Sequence, residues 1–390
     1  MEPEQDADPH VGEAAVYDVG IVGGGPAGAT AALCAARRGL SVIVLEACPV
    51  PRRKLCGGLL SRKTMDIVKR LYNASAADLT EGGIINYSSA GYEIHFGGVL
   101  LCCDRYDYPF HFTERAVFDA WLLEKARKAG AAVRTGTPVR AVDIDAGVLT
   151  LAGGGTVRCR YIVGADGANS VVRKAFGVDR RQWSRGVAST VEVRIPRSEY
   201  PRRVEHPEVH VGPVPEGYGW VFPNRDAVVV GLGGRPAEGQ NLARLFRDFL
   251  ETLGVRDVSG MAFRGHPLPL GNPLASLTCG RGLLAGDAGG LVEPVFGEGI
   301  YFAIRSGEAA AQSVTEALHG GAPIHSGYAG ALRRDVCAEI ASSRRMQRLI
   351  FLLDRNGLNP LVKWGIRRGR RVLLDVIHGR RSFQFFRKLA

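Results

Sequence analysis

Gly23, Gly25 and Gly28 follow a short apolar run, 19–22, in the spacing GxGxxG, and a helix rich in small residues follows them. Each glycine has a physical task in such a turn. Gly23 permits the tight bend, Gly25 lets a diphosphate approach the backbone, and Gly28 allows the helix to pack closely on the strand. The next apolar run, "SVIVLE", ends in Glu46, which is placed to accept hydrogen bonds from a ribose. The amides at the helix start would stabilise phosphate charge. A few residues on, "KLCGGLL" sets Cys56 beside Gly57 and Gly58. Two glycines remove side chains where something must come close to the backbone. A thiol there could relay a proton, gate the loop, or simply pack as a small hydrophobe.

The elements that must position these residues are written around them. "TERAVFDAWLLEKARKAGAAV" places Arg115 at a helix start and leads to a strand reaching Val139. "YIVGADGANSVVR" ends an apolar strand in Asp166 and Gly167, and "LLAGDAGGLVEPVFGEGIYFAIRSGEAAA" repeats the pattern with Asp287 before a glycine-rich entry, Gly297 and Gly299, into a long helix. Asp before Gly or Ala also forms ordinary turns. The fingerprint alone does not choose between NAD and FAD, and two such turns in series behind it favour further cofactor contacts over a turn-only reading. Between them, "GVASTVEVRI", "EVHVG", "GYGWVFP" and "AVVVGLGG" suggest a largely antiparallel sheet over 186–234. Tyr218, Trp220 and Phe222 alternate, so all three face one side of a strand. Such a stripe is either core or the wall of an apolar slot.

Residues 17–311 resemble the large flavoprotein group that includes the aromatic hydroxylases. The combination of Cys56-Gly57-Gly58, YxWxFP and Gly297-Glu298-Gly299-Ile300 resembles the geranylgeranyl reductase family, whose members saturate double bonds in prenyl chains. The resemblance implies FAD held by Gly23, Gly25, Pro26, Ala27, Gly28 and Glu46 at the adenosine and diphosphate end, with Val139 flanking adenine. It implies Arg115, Asp166, Gly167 and Asp287 along the diphosphate and ribitol. Cys56, Gly57, Leu59, Gly297, Gly299 and Ile300 would stand at the flavin ring, and Tyr218, Trp220 and Phe222 against the substrate. Cys56 is the one catalytic candidate, and no metal is implied. The substrate would be a prenyl lipid or prenyl quinone, and the electron donor NAD(P)H, ferredoxin or a quinol. Leu59 stands where many relatives carry a third glycine, and Asn224 where lysine often follows FP. The same signatures also suit a flavin monooxygenase or a non-catalytic, membrane-associated redox partner.

Composition bounds the rest. The chain has 390 residues, 46% of them hydrophobic, enough for a large core in two or three lobes. Its eight cysteines show no CxxC spacing, which argues against zinc and iron–sulfur sites. The first fifteen residues are acidic and lack a signal-peptide pattern, so a disordered tail and a cytoplasmic location are expected. The net charge of +11 resides wholly beyond residue 343, where 13 Lys or Arg face 2 Asp. Basic residues interleaved with Leu, Val, Phe and Trp suit a helix at an anionic membrane surface, peripheral at the inner face, or a helical subdomain with solvated arginines outside. Nucleic acid is not expected, since no recognition motif accompanies the charge. The expected fold is α/β, α+β overall: a Rossmann-like βαβ FAD-binding domain over 16–85, 113–185 and 266–320; an inserted antiparallel β-sheet substrate domain over 86–112 and 186–265; and a basic helical C-terminal region over 321–390, bounded by a linker at 318–327.

Overall fold

The computed structural model describes residues 16–236 and 238–388, so the expected tail over 1–15 lies outside the described residues. The first apolar strand, Val16–Val22, runs parallel to Val42–Leu45 on one side and Thr156–Gly164 on the other. It is central and covered on both faces, which is why its inner end reads as an unbroken apolar run. The sheet continues outward through Gly282–Leu284 and Thr278–Cys279 at one edge and Ala132–Arg134 at the other. The helix Pro26–Ala36 lies against this sheet and packs on the long helix Ile300–Leu318.

The sequence suggests one strand reaching Val139, but the structure has two. Ala132–Arg134 stops, and Val139 opens a separate strand, Val139–Asp143, that pairs with Val148–Leu151. Gly136 between them sits at φ +64 and Pro138 has no N–H to offer, so the ladder breaks there.

The second sheet has eight strands in the order Arg264–Leu268, Ala188–Pro196, Ala227–Gly234, Tyr218–Pro223, Glu208–Val211, Tyr87–Phe96, Val99–Phe112 and Leu59–Leu60. Every neighbouring pair is antiparallel except Glu208–Val211 with Tyr87–Phe96. One face is covered by the helix Leu242–Thr252, where Val191, Val193, Val221, Val230 and Leu232 pack against Phe246, Phe249 and Leu250. Side chains alternate along a strand, so Glu192, Trp220 and Gly231 belong to the opposite face. Leu59–Leu60, the end of "KLCGGLL", pairs with His111 and Phe112, which suspends the Cys-Gly-Gly loop between the two sheets.

The chain closes with helices Ile324–Leu332, Ala338–Arg355 and Asn359–Ile377. Ile350, Leu353, Val362 and Ile366 bury their apolar sides against Phe96 and Leu101 of the long hairpin. No helix of the described residues is long and apolar enough to cross a membrane. All eight cysteines are free thiols.

Candidate active site

A cavity of about 1240 Å³ opens between the two sheets. That exceeds the roughly 300–1,000 Å³ of a single-ligand pocket, so it has room for a dinucleotide and a second molecule. Gly23, Gly25, Pro26 and Ala27 line one end. Gly25 is the N-cap of Pro26–Ala36 and has no side chain to cap it, so the first amides of the helix are left for an incoming anion. Gly28 does not reach the cavity. It packs against the turn, where a Cβ would lie 1.9 Å from the Gly23 carbonyl oxygen.

Glu46 ends its strand at the mouth of this loop. Its Oε2 accepts from the Gly24 N–H at 2.7 Å, and its Oε1 accepts from the Cys48 N–H at 3.1 Å. Arg52 pairs with the same carboxylate at 3.0 Å. A carboxylate has about four acceptor sites, so a ribose hydroxyl still finds one. Val139 lines the same end of the cavity. Asp166 Oδ2 accepts from the Val171 N–H at 2.6 Å, capping the short helix Val171–Ala175. Its Oδ1 is buried with no partner, and Asp166 and Gly167 both border the cavity. Burial raises the Asp166 carboxyl, outweighing the bonds it accepts from Ser170, Val171 and Val172.

The opposite wall is apolar. Tyr218, Trp220 and Phe222 do face one side, with ring centroids 6.2 Å apart for the first pair and 6.5 Å for the second. The Cys-Gly-Gly loop presses on them: a Cβ at Gly57 would lie 2.5 Å from Phe222 Cδ2 and 3.3 Å from Trp220 Nε1. Gly58, at φ +73, lies so close to the Thr113 carbonyl that a Cβ would come within 2.0 Å of its oxygen. Cys56 Sγ accepts from the Gly58 N–H at 3.4 Å. Leu59, Asp287, Gly297, Gly299 and Ile300 complete this region.

Arg115, expected from the sequence, lines the cavity, whereas Lys54, His266 and Glu192 beside it were not singled out there. Arg115 is anchored by Asp119, with Nε at 2.7 Å and Nη2 at 2.9 Å from its two oxygens. An Arg four residues before an Asp on a helix is a readable signal. Lys54 lies 4.0 Å from Asp287 and touches His266 Nε2. Burial, reinforced by the Lys54 charge, pushes the His266 imidazole down to about 4, so it is neutral near pH 7. Glu192 also lines the cavity.

The donors and acceptors at the nucleotide end fit a dinucleotide. Open helix amides suit a diphosphate, and the orphaned Asp166 oxygen and Glu46 suit hydroxyl donors. A family model described as the FAD binding domain matches residues 16–326. A menaquinone reductase of Mycolicibacterium smegmatis is 32% identical over 326 residues, 76% of this chain and 76% of its own length. A geranylgeranyl diphosphate reductase of Rhodobacter capsulatus is 32% identical over 323 residues, 79% of this chain and 77% of its own. Among solved structures, a geranylgeranyl bacteriochlorophyll reductase-like protein of Thermoplasma acidophilum superposes with a TM-score of 0.74 at 22% identity, covering 93% of this chain and 91% of that one. At that identity the likeness shows a shared fold.

Proposed function

The chain belongs to the geranylgeranyl and menaquinone reductase family of FAD-binding proteins, and from that membership we propose that it saturates carbon–carbon double bonds in the prenyl chain of a lipid or quinone. FAD is its cofactor. The observation that carries the reading is the contact between the Cys-Gly-Gly loop and the Trp220–Phe222 wall, inside the cavity that also holds the glycine-rich nucleotide loop. A prenyl chain offers almost nothing to hydrogen-bond, so it must be held by burial worth about 0.8 kcal/mol per CH₂. Three adjacent rings supply that burial.

When bound, FAD supplies a hydride to one alkene carbon. The chain's own residues do the rest of the work in this reading. Gly57 lets the loop lie directly on the aromatic wall, and that wall orients the alkene. Cys56 borders the reacting carbons, where its thiol relays a proton or gates the loop. The first sheet forms the FAD-binding part, the second the substrate part, and the basic helices the face toward an anionic membrane. There Leu349, Leu352, Leu361 and Trp364 stand exposed among arginines. Peripheral attachment would bring a water-insoluble chain to the cavity.

The test is anaerobic. The protein is reduced chemically, and geranylgeranyl lipids or a prenyl quinone are added in detergent. Reoxidation accompanied by a mass gain of two hydrogens per saturated bond is expected. Reoxidation only on admitting oxygen, with the lipid unchanged, would sink this reading and favour the monooxygenase or redox-partner alternatives.

A further inference from the structure

Neither nucleotide binding nor the aromatic wall uses the carboxyl of Glu192, yet its position is tightly built. Glu192 lies on Ala188–Pro196 directly opposite Gly231, and Gly231 lies opposite Trp220 on the next strand. Residues opposed across a ladder share a face, so the three stand in a row toward the cavity. Gly231 is what brings the outer two together. With no side chain there, the Trp220 indole lies across it: a Cβ would fall 2.0 Å from Trp220 Cζ2 and 2.7 Å from Nε1. The indole N–H is thereby carried toward Glu192 and the loop, within 3.3 Å of where a Gly57 Cβ would be. Glu192 Oε2 and Trp220 Nε1 are both buried without closing a hydrogen bond. A buried carboxyl oxygen that the indole approaches without completing a hydrogen bond, beside the Cys-Gly-Gly loop on the cavity wall, keeps an acceptor site for a ligand.

We propose that Glu192 is the acid that protonates the prenyl double bond, a catalytic role that rests on the prenyl-reductase reading above. The π bond breaks as one carbon takes a hydride from reduced FAD and the other takes the Glu192 proton. Two C–H bonds form, and the carboxylate left behind is reprotonated from solvent. An external electron donor then restores the reduced cofactor. A carboxylic acid serves here only if it holds its proton near neutral pH. Burial pushes Glu192 up to about 7, and it does so against the Cys56 amide, the Trp220 indole and the Arg194 charge, which all favour the ionised form. The cavity lining also carries Arg194 on the same strand, Arg264 and His266 on the adjoining strand, Tyr218 on the aromatic strand, Lys54 and Cys56 on the loop, and Arg115, Asp287 and Glu298 from the facing elements. Cys56, next to the carboxyl through its own amide, stands where it can pass that proton on or screen it from water.

The experiment compares wild type with Glu192→Gln. In anaerobic single turnovers with a prenyl quinone, the wild-type rate should fall as pH rises through about 7, while E192Q should be at least ~100-fold slower and insensitive to pH in that range. Independently of turnover, infrared titration of the wild type should show two buried carboxyls losing their carbonyl bands near pH 7, Glu192 and Glu293, and E192Q should lose one of the two. Glu192→Asp guards against loss of folding, and should fold, bind FAD and keep a pH-dependent but slower rate. Wild-type-like kinetics in E192Q, a carboxyl titration near neutrality that E192Q leaves unchanged, or a folded E192D without pH dependence would each overturn the assignment alone. Wild-type protein that reduces no prenyl chain would remove the functional reading, and this proposal with it.

Discussion

Tyr218 donates its phenolic hydrogen to the Phe296 carbonyl oxygen at 2.5 Å, which ties the second sheet to the turn leading into the helix Ile300–Leu318. The next residue, Gly297, sits at φ +66, and a Cβ there would lie 2.7 Å from the Tyr218 hydroxyl oxygen. Tyr218→Phe removes one hydrogen bond, worth about 1 kcal/mol net, and should weaken FAD binding roughly fivefold. Gly297→Ala should cost more, about 1–2 kcal/mol for the left-handed backbone plus the steric contact. Because Tyr218→Phe relieves only the contact, the double variant should be less destabilised than the sum of the singles. Denaturant unfolding of the four proteins measures that coupling, and strict additivity would show that the tyrosine and the turn act separately.

Gly231 makes a sharper demand. An alanine there would overlap the Trp220 indole, and overpacking of this kind costs about 1–3 kcal/mol. The indole must swing away from Glu192 and the Cys-Gly-Gly loop. Gly231→Ala should therefore retain FAD, because the glycine-rich loop lies on the other sheet, yet lose most prenyl turnover and shift its tryptophan emission. Loss of FAD with turnover per bound flavin intact would contradict this division of labour.

These two cases mark what the sequence makes legible. The nucleotide loop is readable because its glycines and Glu46 act over a short stretch of chain, so spacing alone carries the chemistry. The alternation of Tyr218, Trp220 and Phe222 is readable for the same reason. Glu192 is not. Within "STVEVRI" it looks like a solvent-facing residue of an amphipathic strand, and its meaning comes from register with Gly231 and Trp220 across two ladders. Lys54 and His266 are 212 residues apart and meet only through the fold. The break before Val139 was hidden because Thr135, Gly136, Thr137 and Pro138 form too short an interruption to separate two strands by pattern.

Away from the cavity, Glu208 is 1% exposed and receives both guanidinium nitrogens of Arg202, at 2.7 and 2.6 Å. His210 Nε2 lies 3.0 Å from the same carboxylate. Burial alone would raise this carboxyl, but the hydrogen bonds from His210 and Arg202 and the Arg202 charge outweigh it and hold it below the usual glutamate range. A depressed folded-state pKa adds stability that is present above the unfolded value, about 4.3, and is lost as pH falls through the folded one. Arg202→Ala, which leaves a buried carboxylate without its main partner, should cost about 1–3 kcal/mol at pH 7. The difference from wild type should shrink as the pH drops below about 4. A pH-independent difference, measured by urea unfolding, would assign the loss to packing of the arginine stem.

The C-terminal helices and the hairpin form one surface, because Val362 and Ile366 pack on Phe96 and Leu101 while their neighbours stay outside. Trp364 is 64% exposed and Val99, at the hairpin turn, 68% exposed. Leu361 and Leu100 are exposed beside them, and the segment beyond residue 343 carries 13 Lys or Arg against 2 Asp. Exposed apolar side chains among arginines are costly in water and favourable at an anionic interface. Wild-type protein should therefore bind vesicles containing phosphatidylglycerol more tightly than neutral ones, and rising salt should weaken that binding through screening. Burying a large apolar side chain is worth about 1.5–3 kcal/mol, so Leu361→Ser with Trp364→Ser should weaken vesicle binding more than ~10-fold. Turnover of a detergent-dispersed prenyl substrate should stay unchanged, because both residues lie outside the cavity lining. Undiminished vesicle binding by the double variant would place the membrane contact elsewhere on the molecule. Equal loss of turnover in detergent would mean that these residues support the fold and not the approach of substrate.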